Sequence, residues 1–77
     1  MSVAKELDIG RLVRTLRERL NLTQERFAGK LGVTFATVNR WENGRAKPSP
    51  LAMKQLEELV GSLGAKGKDL RREFFAD

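Results

Sequence analysis

Apolar residues recur at helical spacing between residues 9 and 20 of the chain. They fall at positions i, i+3, i+4, i+7 and i+11, which predicts an amphipathic helix with one apolar face and Asp8 as its N-cap. The members of that face are Ile9, Leu12, Val13, Leu16 and Leu20. Asn21 is predicted to end this helix. Residues 1–7 carry little pattern, and we expect them to fray.

Two shorter helices separated by a bend are predicted to follow. Thr23 and Thr34 immediately precede the predicted helices over residues 24–31 and 35–42, where a threonine hydroxyl can accept a hydrogen bond from a free amide of the first turn. Gly32 lies between the two helices, where the chain must take a left-handed backbone that glycine adopts without strain. The side chains predicted to point inward are Phe27, Leu31, Val33, Val38 and Trp41.

This unit has the layout of a helix-turn-helix. Ala28 is small where two helices must cross closely, Gly32 follows it by four residues, and polar side chains remain on the outer side of the second helix. Each feature alone is common in small helical bundles. Their combination is characteristic of a helix-turn-helix, whose second helix lies in the major groove of DNA.

A fourth helix is predicted to begin at Pro50, because Ser49 as N-cap followed by proline at the first helical position is a specific start signal. Its apolar face consists of Ala52, Leu56, Leu59, Val60 and Leu63. Beyond it, the glycine-interrupted sequence GAKGK predicts a flexible basic linker. The chain therefore divides into a helix-turn-helix domain over residues 1–63 and a linker with a short C-terminal tail over residues 64–77.

The tail sequence DLRREFFAD predicts one or two turns of helix, with Asp69 as its N-cap. So short a helix is unstable alone in water, and its apolar residues Leu70, Phe74 and Phe75 therefore require a partner. That partner is helix 1 or helix 4 of the same domain, a second copy of the chain, or another protein on which the tail folds. The sequence leaves these alternatives open.

Two missing residue types exclude most site chemistry. Without cysteine or histidine among its 77 residues, the chain lacks thiolate and imidazole metal ligands and the commonest general base. Its ten acidic residues show no spacing that would form a catalytic cluster. We therefore expect no enzyme activity, no bound metal and no cofactor.

Fifteen Lys and Arg residues against ten Asp and Glu residues give this single small domain a net charge of +5. A basic domain attracts nucleic acid, but many small proteins are mildly basic without binding it, so charge alone leaves both alternatives open. No apolar run approaches the ~20 residues of a membrane span, and no signal peptide is recognisable. We predict a cytoplasmic, nucleoid-associated protein with no membrane contact.

The segment from Ile9 to Gly61 resembles the DNA-binding domain of the phage Cro and repressor proteins, the helix-turn-helix family also called XRE. The resemblance rests on LRERLNLTQERFAGKLGV, TVNRWENGRAKPS and LEELV, in which LTQ opens the second helix, LGV forms the bend and WENG closes the third. It implies an all-α, lambda-repressor-like bundle of four to five helices. It also implies a homodimer, at least on DNA, bound to a palindromic operator in double-stranded DNA.

The resemblance further implies which residues contact DNA. They lie at the start of the second helix, on the outer side of the third and in the loop that follows: Gln24, Thr34, Phe35, Ala36, Thr37, Asn39, Arg40, Asn43, Arg45 and Lys47. Arg40 can pair bidentately with guanine, and Asn39 can serve adenine or a phosphate. The alternatives are a solvated arginine or a phosphate contact at Arg40, an ordinary helix-start residue at Gln24 and a solvated turn after the third helix.

Phe35 and Ala36 depart from the polar residues that some phage relatives place at the start of the third helix. They suggest apolar contact with thymine methyl groups instead of hydrogen bonds to base edges. Phe35 could alternatively fold back onto the domain. The sequence does not separate these two orientations.

Two further residues have a structural role in the resembling repressors. There, an arginine of helix 1 and a glutamate at the end of helix 3 form a partly buried ion pair, which implies a pair between Arg17 and Glu42 here. Trp41 is expected in the core because it lies on the inner side of the third helix, whereas a role in stacking on bases would require it to be exposed.

These observations predict a sequence-specific transcriptional regulator, a repressor, that reads the major groove with helix 35–42. The alternative function is an antitoxin-type protein-interaction module whose C-terminal tail, residues 69–77, binds a partner protein. A tail that is disordered alone would favour the partner protein, and a docked tail would favour the simple regulator.

Overall fold

The computed structural model describes residues 8–76, which form five α-helices and one short 3-10 helix. The α-helices are α1 (Ile9–Arg19), α2 (Gln24–Leu31), α3 (Phe35–Glu42), α4 (Pro50–Ser62) and α5 (Lys68–Phe74), and the 3-10 helix is Gly64–Gly67. The prediction of an all-α bundle is confirmed, since these residues contain no strand. The expectation that residues 1–7 fray concerns residues outside the described range.

Four helices begin where the sequence predicts, each at a capping side chain. Asp8, Thr23, Thr34 and Ser49 accept hydrogen bonds of 3.0–3.1 Å from the backbone amides three residues later. Such a cap typically contributes about 1 kcal/mol to helix stability. Asn21 adopts a left-handed backbone with φ 61° just after α1, which confirms it as the helix breaker. Among residues 8–76, no helix is long and apolar enough to cross a bilayer.

The five α-helices enclose one apolar core, to which each contributes. Its most deeply buried side chains are Leu12, Val13, Leu16, Phe27, Val38, Leu56, Val60 and Leu70. Trp41 is 4% exposed on the inner side of α3, which confirms its predicted place in the core. Phe27 and Val38 connect α2 and α3 to the same cluster, so the helix-turn-helix is packed as one unit.

Gly10 allows α1 to approach the end of α3 closely. A Cβ at this position would lie 2.8 Å from the carbonyl oxygens of both Trp41 and Glu42, nearer than real Cβ atoms come to other atoms. Any side chain at residue 10 would therefore push α1 away from α3. The sequence pattern did not single out this glycine.

The tail packs against its own bundle. Leu70 and Phe74 are buried in the core, and α5 lies against α1 and α4. Gly67 is buried at the start of this segment, where a Cβ would collide with the carbonyl oxygen of Val60. Of the alternatives that the sequence left open for the tail, the structure describes docking on the same domain.

Two predictions for the tail differ from the structure. The prediction that Asp69 is the N-cap is wrong: α5 begins one residue earlier, after Gly67, and no side chain caps it. The Asp69 carboxylate instead accepts hydrogen bonds of 2.7 and 3.0 Å from Arg19 of α1. Residues 64–67, expected in a flexible linker, form the 3-10 helix because glycine at residue 67 lets it pack on α4. The domain boundary at residue 63 stays a prediction.

Candidate nucleic-acid interface

The bend between α2 and α3 has the geometry that the sequence predicts. Gly32 has φ 73°, in the left-handed region that favours glycine. The amide of Val33 donates to the carbonyl of Ala28 at 3.0 Å, which closes the end of α2. Ala28 is buried, as its small size suggested. These contacts fix the direction in which α3 leaves the bend.

The outer side of α3 is exposed to solvent. Thr34, Phe35, Ala36 and Arg40 are exposed along it, whereas Thr37 is partly buried and its hydroxyl lies 2.9 Å from that of Thr34. Phe35 is 52% exposed, an unusual position for a large apolar side chain. It does not fold back onto the domain, so the second of its two predicted orientations is wrong. The start of α3 thus presents an apolar surface flanked by hydroxyl groups.

Arg17 of α1 and Glu42 at the end of α3 form the ion pair that the resemblance implies. The two guanidinium contacts to the carboxylate are 2.7 and 3.2 Å long, and the side chains are only 16% and 6% exposed. Arg17 also donates to the carbonyl of Leu22 at 3.0 Å. The hydrogen bond to Glu42 raises the pKa of the Arg17 guanidinium above its ordinary value. The pair therefore ties α1 to the end of α3 and to the loop before α2.

The ion pair continues into a chain of side-chain amides. Gln24 donates to Glu42 at 3.0 Å, and Asn39 donates to the Gln24 side-chain oxygen at 3.3 Å. Asn43 in turn donates to the Asn39 side-chain oxygen at 3.1 Å and to its backbone carbonyl at 2.9 Å. We call Arg17, Glu42, Gln24, Asn39 and Asn43 the polar chain. It links α1, α2 and α3 through one ion pair and a series of side-chain hydrogen bonds.

The polar chain shows what the sequence reasoning missed. Gln24, Asn39 and Asn43 were predicted as DNA contacts, and the structure brings their side chains together within the protein. Helical spacing held a signal, because residues 39, 42 and 43 stand at i, i+3 and i+4 and therefore share one side of α3. The spacing did not reveal that Gln24 of α2 would meet that side.

The loop after α3 carries the remaining predicted contacts. Arg45 and Lys47 are exposed, and the amide of Arg45 donates to the carbonyl of Arg40 at 2.8 Å, which holds the loop against the end of α3. Gly44 has φ 72° and leaves the backbone uncovered there. Within residues 8–76, no ion pair involves Arg40, Arg45 or Lys47. The end of α3 and its loop therefore form a surface with unneutralised positive charge.

Comparison with known proteins agrees with this geometry. Residues 13–63 match the helix-turn-helix family, over a segment that contains α2, α3 and α4 in full. A protein of Methanothermobacter thermautotrophicus, named as an HTH-type transcriptional regulator, is 38% identical over 50 residues, which cover 65% of this chain and 72% of that protein.

Two fungal relatives are longer than this chain. Multiprotein-bridging factor 1 of Debaryomyces hansenii is 28% identical over 71 residues, 92% of this chain and 47% of that protein. A multi-protein-binding factor 1 of Yarrowia lipolytica is 31% identical over 65 residues, 84% of this chain and 42% of that protein. The chain thus spans about half the length of these relatives. No solved structure matches the sequence with comparable significance.

Proposed function

The chain belongs to the helix-turn-helix family, which its residues 13–63 match, and from this premise we propose that it is a sequence-specific transcriptional regulator that reads duplex DNA with α3. On DNA it acts as a repressor, because a protein that occupies an operator blocks access to the promoter without further contacts. One observation carries the proposal: α3 is buried along its inner side, and its exposed outer side continues into a loop whose cations form no ion pair with residues 8–76.

We assign base reading to the exposed side chains of α3. The Arg40 guanidinium is exposed and free of ion pairs with residues 8–76, so it can donate bidentately to O6 and N7 of guanine. Phe35 and Ala36 contact thymine methyl groups, because a half-exposed phenylalanine ring has no hydrogen bond to offer a base edge. Thr34 and Thr37 lie beside them and offer hydroxyl groups to neighbouring bases or phosphates.

We assign a positioning role to the side chains of Gln24, Asn39 and Asn43. Their amide groups already bond to other members of the polar chain, so they orient α3 relative to α1 and α2 and do not read bases. Gln24 contacts DNA through its backbone instead, because the first amides of a helix attract a phosphate.

The loop supplies contacts that are independent of sequence. Arg45 and Lys47 neutralise phosphates and release condensed counterions, while Gly44 lets the backbone approach the DNA closely. These contacts set the register of α3 in the groove and add affinity for any duplex.

The length of α3 supports a dimer. A helix of 8 residues is ~12 Å long at 1.5 Å per residue, and therefore spans about four base pairs of 3.4 Å each. A site this short recurs very often in a genome and cannot by itself define an operator. A homodimer on a palindromic operator doubles it, with half-sites about one helical turn apart.

Selection of binding sites from randomised duplex DNA tests the proposal. We expect a two-fold symmetric site and an affinity that falls by ~10³ or more between 50 and 200 mM salt if six or more phosphates are contacted. Arg26→Ala is the matched control for Arg40→Ala, because it also removes an exposed arginine but lies on α2 outside the assigned contacts. Equal binding to duplexes of every sequence would contradict the proposal.

Contact with a partner protein is a second candidate function. Two relatives that align with most of this chain carry names that refer to bridging or binding several proteins. The antitoxin-type alternative would have the tail fold on its partner, and the docked tail does not support that form of it. Pull-down of partners by the full chain, compared with a charge-altered tail variant, tests this candidate.

A further inference from the structure

We propose that the outer face of α5 binds an acidic segment of a partner protein that also carries apolar side chains. This inference rests on the second candidate function, contact with a partner protein, and names its surface and the chemistry of the partner. The surface, hereafter the tail cationic face, consists of Lys68, Arg71 and Arg72 of α5 together with Lys66 of the preceding 3-10 helix. All four side chains are exposed.

Charges on the tail are segregated between two sides of one short helix. Asp69 pairs with Arg19 and Glu73 pairs with Arg11, so both acids of α5 are turned towards α1 and neutralised there. The cations of the tail cationic face take part in none of the ion pairs within residues 8–76. The side of α5 that faces away from α1 therefore carries cations, while Asp69 and Glu73 stay partly exposed beside their arginine partners on α1.

This arrangement disfavours the helix that carries it. Lys68 lies three residues before Arg71 and four before Arg72, so like charges neighbour each other on one side of a helix of only 7 residues. Repulsion between like charges at this spacing destabilises a helix, and none of these cations forms an ion pair within residues 8–76. An anionic partner would relieve it by lying along the same side.

An apolar component accompanies the charge. Phe75, which directly follows α5, is partly buried and packs against the core, so only part of its ring is available at this surface. A shallow hollow of about 260 Å³ is lined by Lys68, Arg71, Arg72 and Ala76. A protein segment with both carboxylates and apolar side chains complements this surface. A nucleic acid also supplies negative charge and is the competing occupant.

The tail cationic face does not share a side with the proposed DNA surface. On α1, Gly10 and Arg17 face α3, whereas Arg11 and Arg19 face α5. At about 100° of rotation per residue, these two pairs point in directions ~150° apart around the α1 axis. A duplex on α3 and a protein on α5 therefore occupy opposite flanks of α1 and can bind together.

Fluorescence anisotropy of a labelled peptide of alternating aspartate and leucine, titrated with the full chain, tests this inference. We expect Arg71→Ala with Arg72→Ala to weaken binding about tenfold. The matched control is Arg26→Ala with Lys30→Ala, which removes the same charge from two exposed cations of α2 and should weaken it no more than about twofold. A peptide of alternating aspartate and serine should bind the wild type several-fold more weakly.

Several outcomes separate this inference from its competitors. Equal losses of affinity for the aspartate–leucine peptide in the two double variants would overturn it, since the attraction would then come from net charge alone. Preferential loss of single-stranded oligonucleotide binding in the tail variant would also overturn it and indicate a nucleic-acid surface. Operator binding, measured in parallel, should be unchanged in the tail variant, so a failure of DNA recognition is detected independently. Amide shifts of wild-type protein titrated with the aspartate–leucine peptide should concentrate in residues 66–76, and shifts centred on α3 would contradict the assignment.

Discussion

The helices α3 and α5 have nearly equal lengths, 8 and 7 residues, and both rest on α1, but different interactions hold them there. At α3 the contact combines the close approach at Gly10 with the Arg17–Glu42 pair, which is largely withdrawn from water. At α5 the ion pair from Arg19 is made to an Asp69 side chain that is 65% exposed. The ion pair that holds α3 is therefore largely buried, whereas the one that holds α5 is exposed to solvent.

This difference in exposure between the two ion pairs indicates that the position of α3 is more tightly fixed than that of α5. Water and salt screen exposed ion pairs, so those of α5 orient the helix more than they stabilise it, and docking depends mainly on Leu70 and Phe74. A shielded pair leaves an uncompensated charge when one partner is lost. We therefore expect disturbance at α3 to affect the whole fold and disturbance at α5 to remain local.

The largest effect is expected for Arg17→Met. It leaves the Glu42 carboxylate largely buried with only the hydrogen bond from Gln24, so the free energy of unfolding should fall by about 3 kcal/mol. Chemical denaturation measures this loss, and operator affinity should fall with it. Arg14→Met is the control, because its pair with Glu18 on the same helix is exposed and should contribute less than about 0.5 kcal/mol. An unchanged melting curve with unchanged affinity in the Arg17 variant would contradict this role.

The next largest effects are expected for alanine at Gly10 and at Gly67, and they should differ between α3 and α5. Gly10→Ala forces α1 from the end of α3, and we expect a loss of about 2 kcal/mol in the free energy of unfolding. Gly67→Ala should instead loosen α5, so hydrogen exchange should accelerate at Leu70 and Phe74 while Val38 keeps its protection.

The control for both glycines is Gly29→Ala. Gly29 lies within α2, and a Cβ there meets nothing within 4 Å. Alanine should therefore stabilise the protein by about 0.5–1 kcal/mol through its better helix propensity. If Gly67→Ala accelerated hydrogen exchange equally at Leu70 and at Val38, α5 would not open independently of the rest of the fold.

Arg40→Ala should change which DNA sequence is preferred. Loss of a bidentate guanine contact should remove ~1–3 kcal/mol of discrimination at one base pair of each half-site. Lys47→Ala should weaken binding to all duplexes alike and reduce the salt dependence, because it removes only a phosphate contact. Affinities for single-base variants of the selected operator measure both effects. A uniform loss in the Arg40 variant would assign that residue to the phosphates instead.

Asn39→Ala should lower operator affinity less than Arg40→Ala does, and it should leave the base preference unchanged. If Asn39 positions α3 through Gln24, operator affinity should fall by about 1 kcal/mol without a changed base preference. The double variant with Gln24→Ala should lose less than the sum of the single variants, because both changes remove the same hydrogen bond. A changed preference at one base pair would identify Asn39 as a base reader.

The features that follow from local sequence could be predicted. The starts of α1 to α4 depend on a capping residue and a neighbouring apolar pattern, and all four agree with the structure. The bend at Gly32 depends on backbone preference alone. The Arg17–Glu42 pair followed from the family resemblance, since no local pattern joins residues so distant in the sequence.

Features that depend on packing between distant segments could not be predicted from pattern. The space requirement at Gly10 is set by carbonyl groups at the end of α3, and that at Gly67 by a carbonyl of α4. Asp69 has the sequence signature of an N-cap, but Arg19 lies close enough in the fold to bind its carboxylate. The amides of Gln24 and Asn39 were likewise assigned to DNA because they bond across two helices, Gln24 to Glu42 and Asn39 to Gln24, and Asn43 joins them through Asn39.

The smallest effect is expected on the tail at low pH. Hydrogen bonding from the Arg19 guanidinium lowers the pKa of Asp69 from 3.8 to about 2. Because the pKa in the docked state lies below that of a free carboxyl group, the pair supports docking above pH 3.8. That support is lost as pH falls towards 2.

Carbon NMR of the Asp69 carboxyl group measures this effect at the residue itself. Its titration midpoint should lie at about 2 in the wild type and return towards 3.8 in Arg19→Met. Added salt should move the wild-type midpoint in the same direction, because both partners are accessible to solvent. The Arg17–Glu42 pair should respond less to salt, since it is shielded from water. A wild-type midpoint near 3.8 would mean that Arg19 does not hold the tail, and the contrast between a shielded α3 contact and a screened α5 contact would then rest on apolar packing alone.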